Sequence, residues 1–215
     1  KLQSAGFEIG IVTGSDLNYL EQQCFLLFDV GPVDPTLIHF LPCNGTKYFR
    51  WDKKWSLIQQ KDMIKKIGKT NYNNLLNRCL EYQNNIISME PDLNFTGNFF
   101  DYRGSVLNWC PIGRSASHEQ REKFVILDKT KQLRKTYLEC LNQDMNREEF
   151  KNVTIALGGE TSFDIYPTGW DKTFALQFFP NSKIYFVGDR CGQFGNDYTI
   201  YKACAPYSFN TAGPA

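Results

Sequence analysis

The chain has 215 residues, enough for one large domain or two modest ones. Its 24 basic and 23 acidic residues leave a formal net charge of +1, so no basic field points to nucleic acid and no acidic tail to a solvating segment. No apolar run approaches the roughly 18 residues of a membrane-spanning helix, so neither nucleic acid nor a membrane is expected as a partner. The first element is "FEIGIVTGSD", where Phe7, Ile9, Ile11 and Val12 lead into a small polar turn, Thr13-Gly14-Ser15-Asp16. "DLNYLEQQC" then opens on an N-cap type residue and continues helically. Strand, tight turn and helix make half of a βαβ unit. "KLQSAG" ahead of it reads as the end of a helix with Gly6 as its C-cap.

Next, "FLLFDVGPVDPTLIHFLPCNGTKYFRWDKKW" holds short strands punctuated by Pro32, Pro35, Pro42 and an Asn44-Gly45 turn. "DMIKKIGKTNYNNLLNRCLEYQNNIIS" is helical in period, with Leu75, Leu76, Cys79, Leu80 and Tyr82 near one stripe. "GNFFDYRGSVLNWCPIG" alternates like a hairpin that turns at Arg103-Gly104. A long helical stretch or a helix pair follows in "SHEQREKFVILDKTKQLRKTYLECLNQDM". The strands "NVTIALGG" and "TSFDIYP", a short helix in "WDKTFALQFF" and the strand "KIYFVGD" complete the order. An α/β core interrupted by an inserted α+β unit of about a hundred residues is the expected fold.

Seven cysteines, Cys24, Cys43, Cys79, Cys110, Cys140, Cys191 and Cys204, make an odd count with no CxxC and no zinc-like spacing to histidine. They read as free thiols of a reducing compartment. No secretory leader is visible in "KLQSAGFEIG", so a cytoplasmic location is expected. Sequons at Asn44, Asn94 and Asn152 would matter only in a secreted protein.

The stretch "YFVGDRCGQFGND" is a strand ending in Asp189 that opens into a glycine-bearing loop with a second carboxylate, Asp197. A metal or phosphate site at the end of a parallel strand has this anatomy. Three arginines stand out: Arg103 at the hairpin turn, Arg114 after Ile112-Gly113, and Arg121 seven residues, or two helical turns, further on. Guanidinium forks and helix-end amides both suit a phosphate monoester. A single arginine on a charged helix is ordinary surface, and Arg134 is read that way; three beside glycine-containing turns make phosphate a serious alternative to surface charge. Ser162 and Asp164 alternate with Phe163 and Ile165 and so share one strand face. A hydroxyl and a carboxylate together suit sugar hydroxyls, with a solvated edge strand as the even alternative. Lys172 opens the short helix ahead of the Asp189 strand, where a cation can offset charge on a transferring phosphoryl group. An ordinary lysine there is disfavoured by the helix dipole.

"DYRGS", "NWCPIGRSASHEQREKF", "GGETSFDIYPTGWDK" and "GDRCGQFGND" resemble the eukaryotic-type phosphomannomutase family of the haloacid dehalogenase superfamily. The resemblance runs from "IGIVTGSD" nearly to "NTAGPA". It implies an α/β fold: a Rossmann-like haloacid dehalogenase core, residues 1–62 and 168–215, with an inserted α+β cap at 63–167. It implies interconversion of mannose 6-phosphate and mannose 1-phosphate through an aspartyl phosphate, for GDP-mannose supply. Mg²⁺, a hexose 1,6-bisphosphate activator and a homodimer formed through the cap come with it. By matching positions, Arg103, Arg114, Arg121, Ser162 and Asp164 hold the substrate. Thr13, Gly14 and Ser15 fall on the phosphate-cradling turn, usually Gly-Gly-Ser, and Lys172 serves the phosphoryl group. Asp189, Asp197 and Tyr201 fall on metal positions, with Asn196 supporting that loop.

There are departures from the family pattern. Its nucleophile and acid/base lie in a D-x-D-G-T motif on the first core strand, expected ahead of "KLQSAGFEIG" and not found in the 215 residues. "LLFDVGPVD" offers Asp29, but Gly31-Pro32 stands where the second aspartate and glycine belong, so it reads as ordinary strand and loop. Cys43 stands where the family tends to have glutamate. Ala203 and Pro206 replace the acidic residue and threonine of a second cation loop, and the family's last helix is expected beyond "NTAGPA". The 215 residues by themselves are therefore expected to lack mutase activity. A non-catalytic relative that binds sugar phosphate or only dimerises is the alternative. A sugar phosphatase of the same superfamily ranks below it, since three arginines suit a substrate phosphorylated at two ends.

Overall fold

Two units make up the chain, the second inserted into the first. Unit 1 is Lys1–Lys61, Gly169–Gln193 and Asp197–Ala215; unit 2 is Asp62–Thr168 with Phe194–Asn196. The computed structural model describes residues 1–29, 33–145, 150–193 and 195–213.

In unit 1 a 3-10 turn, Gln3–Ala5, ends on Gly6, whose φ of 82° is open to glycine at no steric cost. Strand β1 (Ile9–Val12) pairs in parallel with β2 (Ile38–Leu41), and β3 (Lys47–Trp51) and β4 (Trp55–Gln60) continue the sheet antiparallel. Helix α1 (Leu17–Cys24) starts at Asp16, whose carboxylate accepts the Tyr19 amide at 3.0 Å. The stretch read as a strand around Leu26 is instead a helical turn, α2 (Leu26–Asp29), while residues 30–32 of that reading lie outside the described residues. The turn rotates Phe28 onto the core, where it lies 5.7 Å from Phe40 and 4.9 Å from Trp51 between ring centroids. Leu20, Ile38 and Phe40 are buried there under Phe49, Trp51 and Trp55. Each such side chain contributes about 1.5–3 kcal/mol by leaving water.

A second sheet in unit 1 is a parallel pair, β9 (Phe186–Gly188) and β10 (Ser208–Asn210). Phe186 packs with Cys191, Ile200 and Cys204, covered by helix α7 (Tyr198–Ala203) and the 3-10 helix Lys172–Phe178. On the other face Val187 and Phe209, cross-strand partners, are 62% and 53% exposed. Among the described residues β1 pairs only with β2, and β9 only with β10.

Unit 2 is a four-stranded antiparallel sheet, in the order β5 (Phe100–Tyr102), β6 (Leu107–Trp109), β8 (Ser162–Pro167) and β7 (Val153–Gly158). One face is apolar: Phe100, Trp109 and Phe163 stack across three strands at 6.1 and 4.6 Å between centroids. The helical stretch after Asp62 is broken at Gly68 (φ 87°) into α3 (Met63–Ile67) and α4 (Lys69–Met89). Helix α4 buries Tyr72, Leu75, Cys79, Gln83 and Ile86. Leu80, five residues and therefore about 140° around from Leu75, is exposed, contrary to its expected place in the stripe. Gln83 accepts the Trp109 indole N–H at 2.7 Å and donates to Pro111 at 3.0 Å, so the helix docks on the sheet through a satisfied polar contact. Helices α5 (His118–Lys131) and α6 (Leu133–Met145) meet at Gln132, φ 50°.

Candidate active site

The polar face of the unit 2 sheet carries Ser162 and Asp164, as strand alternation predicted, and adds residues the sequence reading had passed over. Asp101, Asn108 and Asp164 are successive cross-strand partners on β5, β6 and β8, opposite the aromatic stack. Ser162 is two residues from Asp164 on the same face. Arg103, buried in the turn after β5, donates its Nε–H to Asp101 Oδ2 at 2.9 Å, and Arg114 Nε lies 3.6 Å from the same oxygen. Arg114 also donates from Nη1 to Asn108 Oδ1 at 2.9 Å, and Asn108 donates from Nδ2 to Asp164 Oδ1 at 2.8 Å. Ser162 donates its hydroxyl proton to the Gly158 carbonyl at 2.7 Å, leaving oxygen lone pairs for a ligand donor.

Arg121 is placed by its helix start. Ser117 caps α5 in a reciprocal capping box with Gln120, so Arg121 falls in the first turn. Its guanidinium donates to the carbonyls of Ala116 at 3.1 Å and Arg114 at 2.6 Å and to the Thr161 hydroxyl at 3.0 Å. Three of its five N–H groups are thereby fixed, which orients the fork before any ligand arrives. Arg103 and Arg114 both face the Asp101 carboxylate, while Arg121 is held by two backbone carbonyls and a hydroxyl. Phosphate and hydroxyl groups of one polar molecule match this arrangement.

Arg134 departs from its reading as a solvated arginine. Its side chain is 11% exposed and bonds Asp128 Oδ2 through Nε at 2.8 Å, while its Nη1 donates to the Gly159 and Ser162 carbonyls at 3.3 and 3.2 Å. It holds the β7–β8 turn to the helix pair. Four residues of this network went unread in the sequence: Asp101, Asn108, Thr161 and the buried role of Arg134. Asn108 had a local signal, since it alternates with the apolar Leu107 and Trp109 and so lies opposite them; its pairing with Asp101 depends on the β5–β6 register.

Unit 1 carries the other expected residues. Thr13-Gly14-Ser15 follows β1 directly, ahead of the α1 cap. The Thr13 and Ser15 carbonyls accept the Asn44 and Cys43 amides, each at 2.8 Å, which fixes the turn. Thr13 Oγ1 accepts the Ser15 amide at 3.2 Å, so one donor of an anion cradle is already engaged from within. Cys43 is buried at φ 51° and contributes its amide to this turn.

Lys172 and Asp197 form a buried ion pair through Nζ and Oδ1, and Asp197 Oδ2 accepts the Arg190 amide at 3.2 Å. A Cβ on Gly188 would stand 2.7 Å from that carboxylate oxygen, so the glycine is what lets Asp197 lie against the end of β9. Both Asp197 oxygens have protein partners. Asp189 is exposed just beyond β9. Burial, then Asp197 and Asp189, push the Cys191 thiol above its ordinary range, with Lys172 opposing. Tyr201 packs against the Phe186 and Ile200 cluster.

Among the described residues no group of three or more His, Cys, Asp or Glu side chains could hold a metal. Mg²⁺ usually needs only one or two carboxylates, with waters and substrate phosphate completing its shell. Asp189 fits as one such ligand; Asp197 is held by Lys172 and the Arg190 amide with a lone pair left on each oxygen, and Tyr201 packs its ring against an apolar cluster. No described helix is long and apolar enough to cross a membrane.

A family model described as eukaryotic phosphomannomutase matches residues 2–215. The chain belongs to that family. It is 33% identical to a phosphomannomutase of Schizosaccharomyces pombe over 198 residues, covering 90% of this chain and 72% of the relative. It is 34% identical to phosphomannomutase 1 of Dictyostelium discoideum over 199 residues, covering 90% and 73%. Among solved structures, an N-terminally truncated Plasmodium falciparum IMP-nucleotidase superposes with a TM-score of 0.57 at 14% identity, over 97% of this chain and 58% of that one. A Streptococcus mutans protein gives 0.57 at 15% identity, over 100% and 77%. These structural likenesses bear on the fold alone, an α/β core into which an α+β unit is inserted.

Proposed function

We propose that the protein is a phosphomannomutase unit whose cap, unit 2, binds phosphorylated hexoses. It would act on mannose 6-phosphate and mannose 1-phosphate with a hexose 1,6-bisphosphate activator, in support of GDP-mannose supply. The observation that carries this reading is the polar row Asp101–Asn108–Asp164, with Arg103, Arg114 and Arg121 anchored around it. Guanidinium forks grip one phosphate while Ser162 and Asp164 read ring hydroxyls. Family membership supports the choice of hexose phosphates over other phosphate monoesters.

In unit 1, Lys172 would offset charge on the phosphoryl oxygens, held in orientation by Asp197. Asp189 would hold Mg²⁺, which when bound supplies further charge neutralisation at the transferring group. The turn at Thr13–Ser15 would contact the phosphate. Homodimerisation through unit 2 belongs to the same reading; Ile126 on α5, 65% exposed, is an apolar side chain that such a contact would cover. A cytoplasmic location accords with seven free thiols.

A polypeptide of these 215 residues carries no D-x-D-G-T carboxylate pair and is proposed to bind without turning over. The test is calorimetric titration of glucose 1,6-bisphosphate into the parent and Arg121→Ala proteins, beside an interconversion assay with Mg²⁺. Losing a charge-assisted fork should weaken binding roughly tenfold to hundredfold. Equal affinities would refute the assigned grip. Turnover near the usual range of about 1 to 1,000 per second would refute the inactivity.

A further inference from the structure

We propose that Asn108 is a positioning residue that locks the phosphate-gripping Arg114 to the hydroxyl-reading Asp164, so that the two move as one body. The inference rests on the sugar-phosphate reading above. Asn108 is 3% exposed on β6, between Asp101 on β5 and Asp164 on β8. Its Oδ1 accepts from Arg114 at 2.9 Å, and its Nδ2 donates to Asp164 at 2.8 Å and to the Phe163 carbonyl at 3.3 Å. An arginine can only donate and an ionised aspartate can only accept. A group standing between them must accept on one side and donate on the other, across the width of one strand spacing. An amide of asparagine length does both, and its two partners dictate which end is oxygen. Leucine has the shape without either function, and ionised aspartate has acceptors only.

The lock extends further along the row. Arg103 donates to Asp101, Arg114 lies 3.6 Å from the same Asp101 oxygen, and Arg121 is bonded to the Arg114 carbonyl. Asn108 is the one neutral member among the row's carboxylates and their arginine partners. It carries no charge to attract substrate and sits beneath the groups that do. Its effect is to stop Arg114 from swinging toward a bound phosphate at the expense of Asp164.

The distinguishing variant is Asn108→Asp, which keeps the shape and makes the donor titratable. Charged and titratable groups facing it are Asp101 from β5, Arg114 from the loop before α5, and Asp164 from β8, with Arg103 behind Asp101. When protonated, the introduced carboxyl donates its O–H to Asp164 and accepts from Arg114, as the amide does. When ionised, it turns an acceptor toward an acceptor. Two carboxylates this close share a proton, so the pair titrates above the ordinary carboxylate range.

Glucose 1,6-bisphosphate is titrated into parent, Asn108→Asp and Asn108→Leu proteins across pH. Each variant is expressed as a ratio to the parent, because phosphate itself titrates near pH 6. The expected ratio for Asn108→Asp is within about threefold at about pH 5 and a loss of roughly tenfold to hundredfold at about pH 8. Asn108→Leu should lose a similar factor at every pH. A flat ratio for Asn108→Asp, or parent-like binding by Asn108→Leu, overturns the inference while leaving the sugar-phosphate reading intact. A parent that binds no bisphosphate overturns that reading and this inference with it. Should the variants not fold, the side-chain amide resonances of Asn108 in the unchanged protein decide: they shift and exchange more slowly on adding bisphosphate if the lock tightens, and unchanged signals overturn the inference.

Discussion

Replacing Arg134 with alanine should loosen unit 2 as a whole, although the residue lies outside the proposed ligand contacts. The Arg134 and Asp128 side chains are 11% and 12% exposed, so solvent screens their pairing little. The substitution removes the 2.8 Å Nε bond to Asp128 and the two bonds to the Gly159 and Ser162 carbonyls; the 2.7 Å bond from the Arg134 amide to Asp128 survives. Removing one partner of a buried ion pair costs about 3–5 kcal/mol, and the surviving amide places this case at the low end, about 3 kcal/mol. That is on the order of a hundredfold in the opening equilibrium. Hydrogen exchange of the β6 and β8 amides reads it directly, as a drop in protection confined to unit 2. Arg134→Lys should recover part of the loss, since it keeps the charge but not the fork. A drop within about 0.5 kcal/mol, the range of an ordinary surface change, would refute the reasoning and return Arg134 to the solvent.

Lys172→Met should destabilise unit 1 by about 3–5 kcal/mol because it strands the buried Asp197 carboxylate, and a Lys172→Met/Asp197→Leu pair should recover most of that in urea unfolding. Gly188→Ala should cost about 1–3 kcal/mol, since its Cβ would meet both Asp197 and the Phe186 ring, each closer than 3 Å; unchanged stability would mean the carboxylate yields freely. His39 donates or accepts toward Tyr48 at 2.8 Å and faces Arg50 at 2.9 Å and Glu8 at 3.4 Å. Burial, then Arg50, lowers its pKa, with Glu8 opposing. Stability should therefore be full above about pH 6.5 and fall as pH drops through the lower folded value, a slope that His39→Gln removes. Cys79, pushed up to about 12 by burial, should be the last thiol labelled by iodoacetamide at neutral pH; early labelling would show that α4 opens.

What the sequence revealed follows the range of the interactions involved. Strand alternation is local, so Ser162 and Asp164 could be placed on one face from six residues of text, and the Gly6 cap and the Ser117 helix start were readable in the same way. Leu26–Asp29 was misread because its apolar run is short enough to suit a strand or a helical turn, and only the aromatic core around Phe28 decides between them. Arg134 was misread because its partners Gly159 and Ser162 are 25 and 28 residues away, and nothing in a charged helical segment announces them. The pairing of Asp197 with Lys172, likewise 25 residues apart, is a product of the fold and has no local signature.

The two sheets of unit 1 leave backbone donors and acceptors along one side of β1 and one side of β9 without a strand partner among the described residues, and the β9–β10 pair also exposes Val187 and Phe209. Rows of this kind are adhesive: a passing extended segment can hydrogen-bond to them regardless of its side chains. Concentration therefore governs how this polypeptide behaves in a tube. It is expected to stay monodisperse when dilute and to grow turbid when concentrated, with light scattering rising fastest where warming frays the strand ends. A lysine at position 187 or 209 should delay the turbidity by setting charge beside the bare edge, a solubility gain obtained without altering a residue of either proposed binding face.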